Sequence, residues 1–272
     1  MQRTNEAKMA KESSFIRIKG AVDGFRYYHM KGHEGLIVGR VGGPSASQVK
    51  NSPSFARLRE NGNEFGQSAR ISKMIRQAWS TPLMHMGHPR NAGRMNSKVR
   101  SVIQLDEEGR RGYRSFLLSE HKEMLTNFQL LPELPFDMIM KGNGIGVSSK
   151  NGKDVKVEIK ALTPETDVRI TKGATHFRIQ AIASCVSDYV YDEEAKRWVA
   201  VNDGNGVTAE AKSSYIPVNK AFEGETLEVS LGITDTTNAT TLVTVCIEFY
   251  QKSGGNYYLL REGACGKVIK GL

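Results

Sequence analysis

The stretch Ser52 to Trp79, SPSFARLRENGNEFGQSARISKMIRQAW, constrains this chain most, because it is the one long segment whose apolar residues recur on a single helical face. Ser52 before Pro53 marks a helix start: a serine oxygen accepts an orphan backbone N–H, and proline at the first helical position forfeits no bond. From there Phe55, Leu58, Gly62, Phe65, Ala69, Ser72, Ile75 and Trp79 follow at intervals of three or four, which predicts an amphipathic helix with these residues on a buried seam. Gly62 and Gly66 each cost about 1 kcal/mol relative to alanine in a helix interior. A neighbouring helix or strand whose backbone approaches them closely is therefore expected. The competing expectation is a break at Asn61-Gly62 and a second helix from about Glu64.

Off the seam, Arg57, Arg59, Arg70, Lys73 and Arg76 outnumber Glu60 and Glu64, and the excess extends over the first half of the chain. Residues 1–140 hold 22 Lys+Arg against 13 Asp+Glu, whereas residues 141–272 hold 16 of each, so the net charge of +9 resides entirely in the first half. Such a split suits one region that faces an anion or an acidic partner and another that faces water or neutral protein. The three cysteines, Cys185, Cys246 and Cys265, are too few for a disulfide framework, and Cys185 and Cys246 sit in apolar strand patterns as small buried hydrophobes. The N-terminus has no apolar core for a signal peptide, and no window approaches the ~20 apolar residues of a membrane span. The expectation is a soluble chain made in the cytoplasm, with no membrane partner.

Three regions follow. Residues 1–14 are a polar arm, expected to be held by another part of the protein or by another subunit. Residues 15–133 form a basic β-meander and helical domain: FIRIKGAV, FRYYHM and LIVGRV read as three antiparallel strands, and Asp23-Gly24 is a strong hairpin signal. Ile16, Ile18 and Val22 would line one face of this meander, which is expected to pack on the central helix. GGPSASQ (42–48) reads as a linker, the segment after Trp79 as a loop broken by Pro82 and Pro89, Asn91–Leu105 as a second helix with a Met95, Val99, Val102, Leu105 stripe, and Glu120–Phe128 as a third. Residues 134–272 alternate with period two in about eight runs, the pattern of an antiparallel β-sandwich. The fold class is thus α+β, with the boundary in KGNGIGVSSKNG (141–152).

No constellation of catalytic residues stands out. KGNGIG invites a phosphate-loop reading, but a strand rather than a helix N-terminus follows it. His85 and His88, with Met86, supply too few ligands for a closed metal site. No cofactor, metal or small-molecule substrate is expected.

The strings SFARLRENGNEFGQSARISKMIR, preceded by FIRIKG and followed by GATHFRI and VCIEFYQKSGGNYYLL, resemble a Bacteroidota protein family of unknown function. The resemblance brings no activity or site residues; it implies a bacterial origin and the same two-part layout.

The function expected is a non-enzymatic structural protein that self-assembles into a filament, tube or phage-like shell. Head-to-tail contacts would build it, with the arm and first strand (Phe15, Ile16, Ile18) docking on a neighbour. The alternative is a nucleic-acid-binding or nucleocapsid-like protein. It would contact its partner through Arg17, Lys19, Arg26, Arg57, Arg59, Arg70, Lys73 and Arg76, extended by Arg90, Arg94, Lys98 and Arg100, with Phe25, Tyr27 and Tyr28 for stacking.

Overall fold

The computed structural model describes residues 19–30, 33, 35–86, 91–142 and 144–272. The arm and Phe15, Ile16, Arg17 and Ile18 lie outside the described residues, as do His88 and Arg90. The chain is α+β and divides into two compact units at Leu58/Arg59.

In the first unit, β1 (Gly20–Val22), β2 (Phe25–Tyr28) and β3 (Ile37–Arg40) form an antiparallel sheet in that order. Asp23 and Gly24, at φ 48° and 77°, make the two-residue turn their sequence predicts. No residue of the three strands is buried, and Val22 is exposed. A short helix, α1 (Ala46–Asn51), begins within the expected linker. Its start is fixed by a reciprocal capping box, in which the Gln48 N–H donates to Ser45 Oγ and the Ser45 N–H to Gln48 Oε1. A 3-10 turn over Pro53–Phe55 follows, and α2 (Ala56–Gln77) runs unbroken through Asn61-Gly62.

The second unit continues with α3 (Ser80–Met86), where a loop was expected. Pro82 lies in its first turn, where a missing N–H breaks no helical bond. After α4 (Asn91–Ile103) come two 3-10 turns, Leu118–Glu120 and Lys122–Leu125, in place of the expected third helix, then the single turn α5 (Phe136–Ile139). Strands β4 (Ile145–Ser149) and β5 (Asp154–Ile159) precede another single turn, α6 (Pro164–Asp167). The remaining strands are β6 (His176–Ser187), β7 (Tyr189–Asp192), β8 (Arg197–Ala200), β9 (Thr208–Lys212), β10 (Ile216–Pro217), β11 (Glu225–Ser230), β12 (Ala239–Ser253) and β13 (Asn256–Gly271).

These strands form a larger antiparallel sheet in the order β10-β6-β12-β13, with β9 also on β6, a smaller one in the order β11-β5-β4, and a ribbon of β7 and β8. Strand β4 falls within the expected linker, because Ile145 and Val147 pack against the core beneath the smaller sheet.

Along β12, successive side chains serve two cores, since neighbours on a strand point to opposite faces. Val243, Val245 and Ile247 meet Val155, Val157, Ile159, Leu227 and Val229 of the smaller sheet, whereas Leu242 and Cys246 meet Ile71, Ile75, Trp79, Met95 and Val99 of the helices. Every residue from Ala239 to Phe249 is accordingly buried. The sandwich expected from the period-two pattern is present, but its larger sheet carries a helical layer on the other face. Apolar alternation alone would not place α2 to α4 there; the double burial of β6 and β12 does. Among the described residues no helix is long and apolar enough to cross a membrane.

Candidate interaction surfaces

The seam expected on α2 separates into two halves. Ser72, Ile75 and Trp79 are buried as predicted, and Trp79, just past the helix, stacks on Phe128 and donates its indole N–H to Thr244 Oγ1 at 3.0 Å. Upstream the pattern faces outward: Leu58 is 52% and Phe65 53% exposed, Gly62 and Gly66 are exposed, and Phe55 is half-buried. The inner face there is polar instead. Glu64 is buried because its carboxylate accepts the Gly112 N–H at 2.8 Å and faces the Arg114 guanidinium at 4.0 Å, while Ser68 Oγ donates to the Phe65 carbonyl.

The loop carrying Gly112, Asp106 to Ser115, is charged but not free. Asp106 accepts the N–H groups of Gly109 and Ser115; although burial opposes ionisation, these hydrogen bonds hold its carboxyl below the usual range. The close backbone approach to α2 occurs at Gly112, where a Cβ would lie 2.9 Å from Glu60 Cα, and φ is +87°. At Gly62 and Gly66 a Cβ would meet nothing within 4 Å. The expected neighbour is therefore not supplied there by the described residues.

The outward face of α2 carries Gly62, Phe65, Gly66, Ala69, Lys73 and Arg76 at helical spacing, with Arg70 beside it. Arg70 and Lys73 are exposed and Arg59 and Arg76 half-buried. In the first unit Lys19, Arg26 and Arg57 are exposed, and so are Phe25 and Tyr28, while Tyr27 is half-buried. Strand alternation puts Phe25 and Tyr27 on one face of β2 and Arg26 and Tyr28 on the other, which divides the proposed stacking residues between two faces.

His85, which the sequence placed in a loop, lies on α3 with Nδ1 2.6 Å from Glu248 Oε1. The Tyr250 hydroxyl donates to the other oxygen of Glu248 at 2.7 Å, and burial together with that carboxylate pushes the phenol pKa up. Both oxygens of the buried carboxylate are thus engaged, and the group ties α3 to the sheet. His85 and Glu248 stand 163 positions apart, which leaves no sequence signal for this pair. Nearby, Tyr215 and Tyr257 stack at 3.8 Å, capped by Arg178 and Lys252, so their ring faces are already occupied.

The three thiols are buried and unpaired by disulfides. Burial raises Cys185 to about 11 and Cys265 to about 12, and Cys246 is raised as well, so none is a thiolate near neutral pH. Among the described residues no three His, Cys, Asp or Glu side chains are grouped to hold a metal.

The last surface is a groove of about 600 Å³ beside α4. Arg94, Ser97, Lys98 and Ser101 occur at helical spacing and line one wall; Asn127 and Gln129 belong to the other. The segment with Asn127 and Gln129 is fixed by backbone hydrogen bonds to β13, including Asn127 N–H to the Val268 carbonyl and Leu130 N–H to that of Gly266. Arg94 lies 4.6 Å from the centroid of the Phe128 ring and donates to Asn91 Oδ1 at 3.0 Å; buried Asn91 in turn donates to the Leu130 carbonyl.

No family model, no curated protein and no solved structure matches this chain.

Proposed function

We propose that the chain is a non-enzymatic structural subunit that assembles with copies of itself into a filament, tube or phage-like shell. The observation that carries this reading is the outward face of α2, where Phe65 stands exposed beside two helix-interior glycines that no described residue crowds. A second subunit whose backbone crosses at Gly62 and Gly66 would use the space that absent side chains leave. Burying Phe65 in that contact would contribute on the order of 2 kcal/mol.

The meander supports the same reading independently. A three-stranded sheet needs a covered apolar face to be stable, and β1 to β3 have no buried residue although Val22, Phe25 and Val38 are exposed. Two different apolar surfaces on one subunit favour head-to-tail contacts over a single self-complementary patch, and head-to-tail contacts build rings or open fibres. Residues 1–14 would then serve as an arm that docks on a neighbour.

The test is sedimentation velocity of the full chain beside Phe65→Asp and a deletion of residues 1–14, with circular dichroism as a check of folding. Large species from the parent chain and small, folded ones from both variants are expected. Variants that sediment like the parent would overturn the assignment of these contacts. A chain that stays small but carries nucleic acid, seen in its 260/280 nm absorbance ratio, would favour the nucleocapsid-like alternative through Arg70, Lys73 and the other exposed basic residues.

A further inference from the structure

We propose that the groove beside α4 binds a phosphate-bearing ligand of nucleotide size, a role separate from self-assembly. Its volume of about 600 Å³ falls within the range typical of small-ligand sites, roughly 300–1,000 Å³. Two cations, Arg94 and Lys98, occupy consecutive turns of one wall, which Ser97 also lines. Among the described residues neither cation has a carboxylate within 4.0 Å.

Arg94 is also positioned in advance. Phe128 covers one face of its guanidinium and Asn91 takes one of its donors, leaving the others for an incoming anion. Burial lowers the Arg94 pKa, partly countered by the charge of Glu133, so a phosphate that replaced lost hydration would find a partly desolvated cation. Asp137, which accepts from Gln129 of the far wall, is already paired with Lys267 at 2.9 Å. Asn127 also lines that wall. Phosphate, rather than carboxylate, is favoured because its tetrahedral non-bridging oxygens, three in a monoester and two in a strand's diester, can reach donors spread over two helical turns and the facing segment.

The source of the phosphate is either a free nucleotide or one unit of a single strand. The experiment measures binding of adenosine monophosphate by calorimetry and of a fluorescein-labelled 15-residue oligothymidylate by anisotropy, both at low salt, to the full-length protein. Lys98→Gln, an exposed position that leaves the core intact, should weaken the bound probe about tenfold, as expected for loss of one charged hydrogen bond. Lys73→Gln, the same charge change on the exposed face of α2, should alter it less than twofold. Binding of the monophosphate assigns the groove to a free nucleotide, and binding of the oligonucleotide alone assigns it to a strand. Failure of both probes to bind, or equal losses in the two variants, overturns the site. Neither result depends on whether the chain forms filaments.

Discussion

The bond between Trp79 and Thr244 ties the helical layer to the larger sheet, and a double-mutant cycle can isolate it. Trp79 is fully buried, its ring 5.8 Å from that of Phe128, and its indole N–H has Thr244 Oγ1 as acceptor. Thr244→Val keeps the shape of the side chain but strands the indole N–H, which costs about 1–3 kcal/mol for a buried donor without a partner. Trp79→Phe removes about 1 kcal/mol of hydrogen bonding together with part of the ring volume, for a total of about 2–3 kcal/mol. Once the indole is gone, no donor remains to be stranded, so Thr244→Val should cost little in the Trp79→Phe background. The double variant should therefore be less destabilised than the sum of the singles by about 1–2 kcal/mol. Urea unfolding followed by tryptophan fluorescence and far-ultraviolet circular dichroism measures all four corners; the second probe is needed because Trp198 alone remains in two of them. Additive losses within about 0.3 kcal/mol would refute the claim that this bond couples the layers.

Three further outcomes are expected. Gly62→Ala and Gly66→Ala, where a Cβ meets only open space, should each stabilise the isolated subunit by about 1 kcal/mol and at the same time weaken assembly, read by thermal unfolding and light scattering; unchanged assembly would remove the glycines from the contact. The thiols should not react with Ellman's reagent in the folded protein between pH 7 and 9, since Cys185 and Cys265 titrate near 11 and 12, and all three should react after unfolding. Because the Asp106 pKa is lowered on folding, its contribution to stability is present above its unfolded pKa of about 3.9 and lost as pH falls through the folded value. Asp106→Asn should accordingly destabilise the protein at pH 7 and by progressively less below pH 4, measured by urea midpoints; a penalty that does not vary with pH would contradict this.

The parts of the fold that local chemistry controls were legible in the sequence. Asp23-Gly24 gave its turn, the period-two runs gave β5, β6, β11 and β12, and Met95, Val99 and Val102 gave the inner stripe of α4, whereas Leu105, expected on the same stripe, lies past the helix end and is exposed. The α1 helix is masked in the sequence although Ser45 and Gln48 stand at capping-box spacing, because the glycines and proline before them read as a linker. NYYLL and KVI look like two strands but belong to β13; its pairing with β12 shifts register between Ile247 and Phe249, and Gly263 at φ +85° marks an irregular strand rather than a turn.

The seam on α2 is legible only in part. Periodicity found the apolar face but not what covers it: downstream the sheet does, whereas upstream the loop around Gly112 buries Glu64 and turns Phe65 outward. That inversion depends on a contact 48 residues away, which no window of sequence contains. The groove beside α4 is half legible, since Arg94 and Lys98 stand at helical spacing in the sequence, but the wall with Asn127 and Gln129 is set by pairing with β13.

Negative-stain electron microscopy of the purified full-length chain, with Phe65→Asp on a parallel grid, tests self-assembly most directly. The account predicts regular filaments, tubes or shells from the parent chain and dispersed subunits from the variant. Dispersed subunits from the parent across the micromolar range would contradict it.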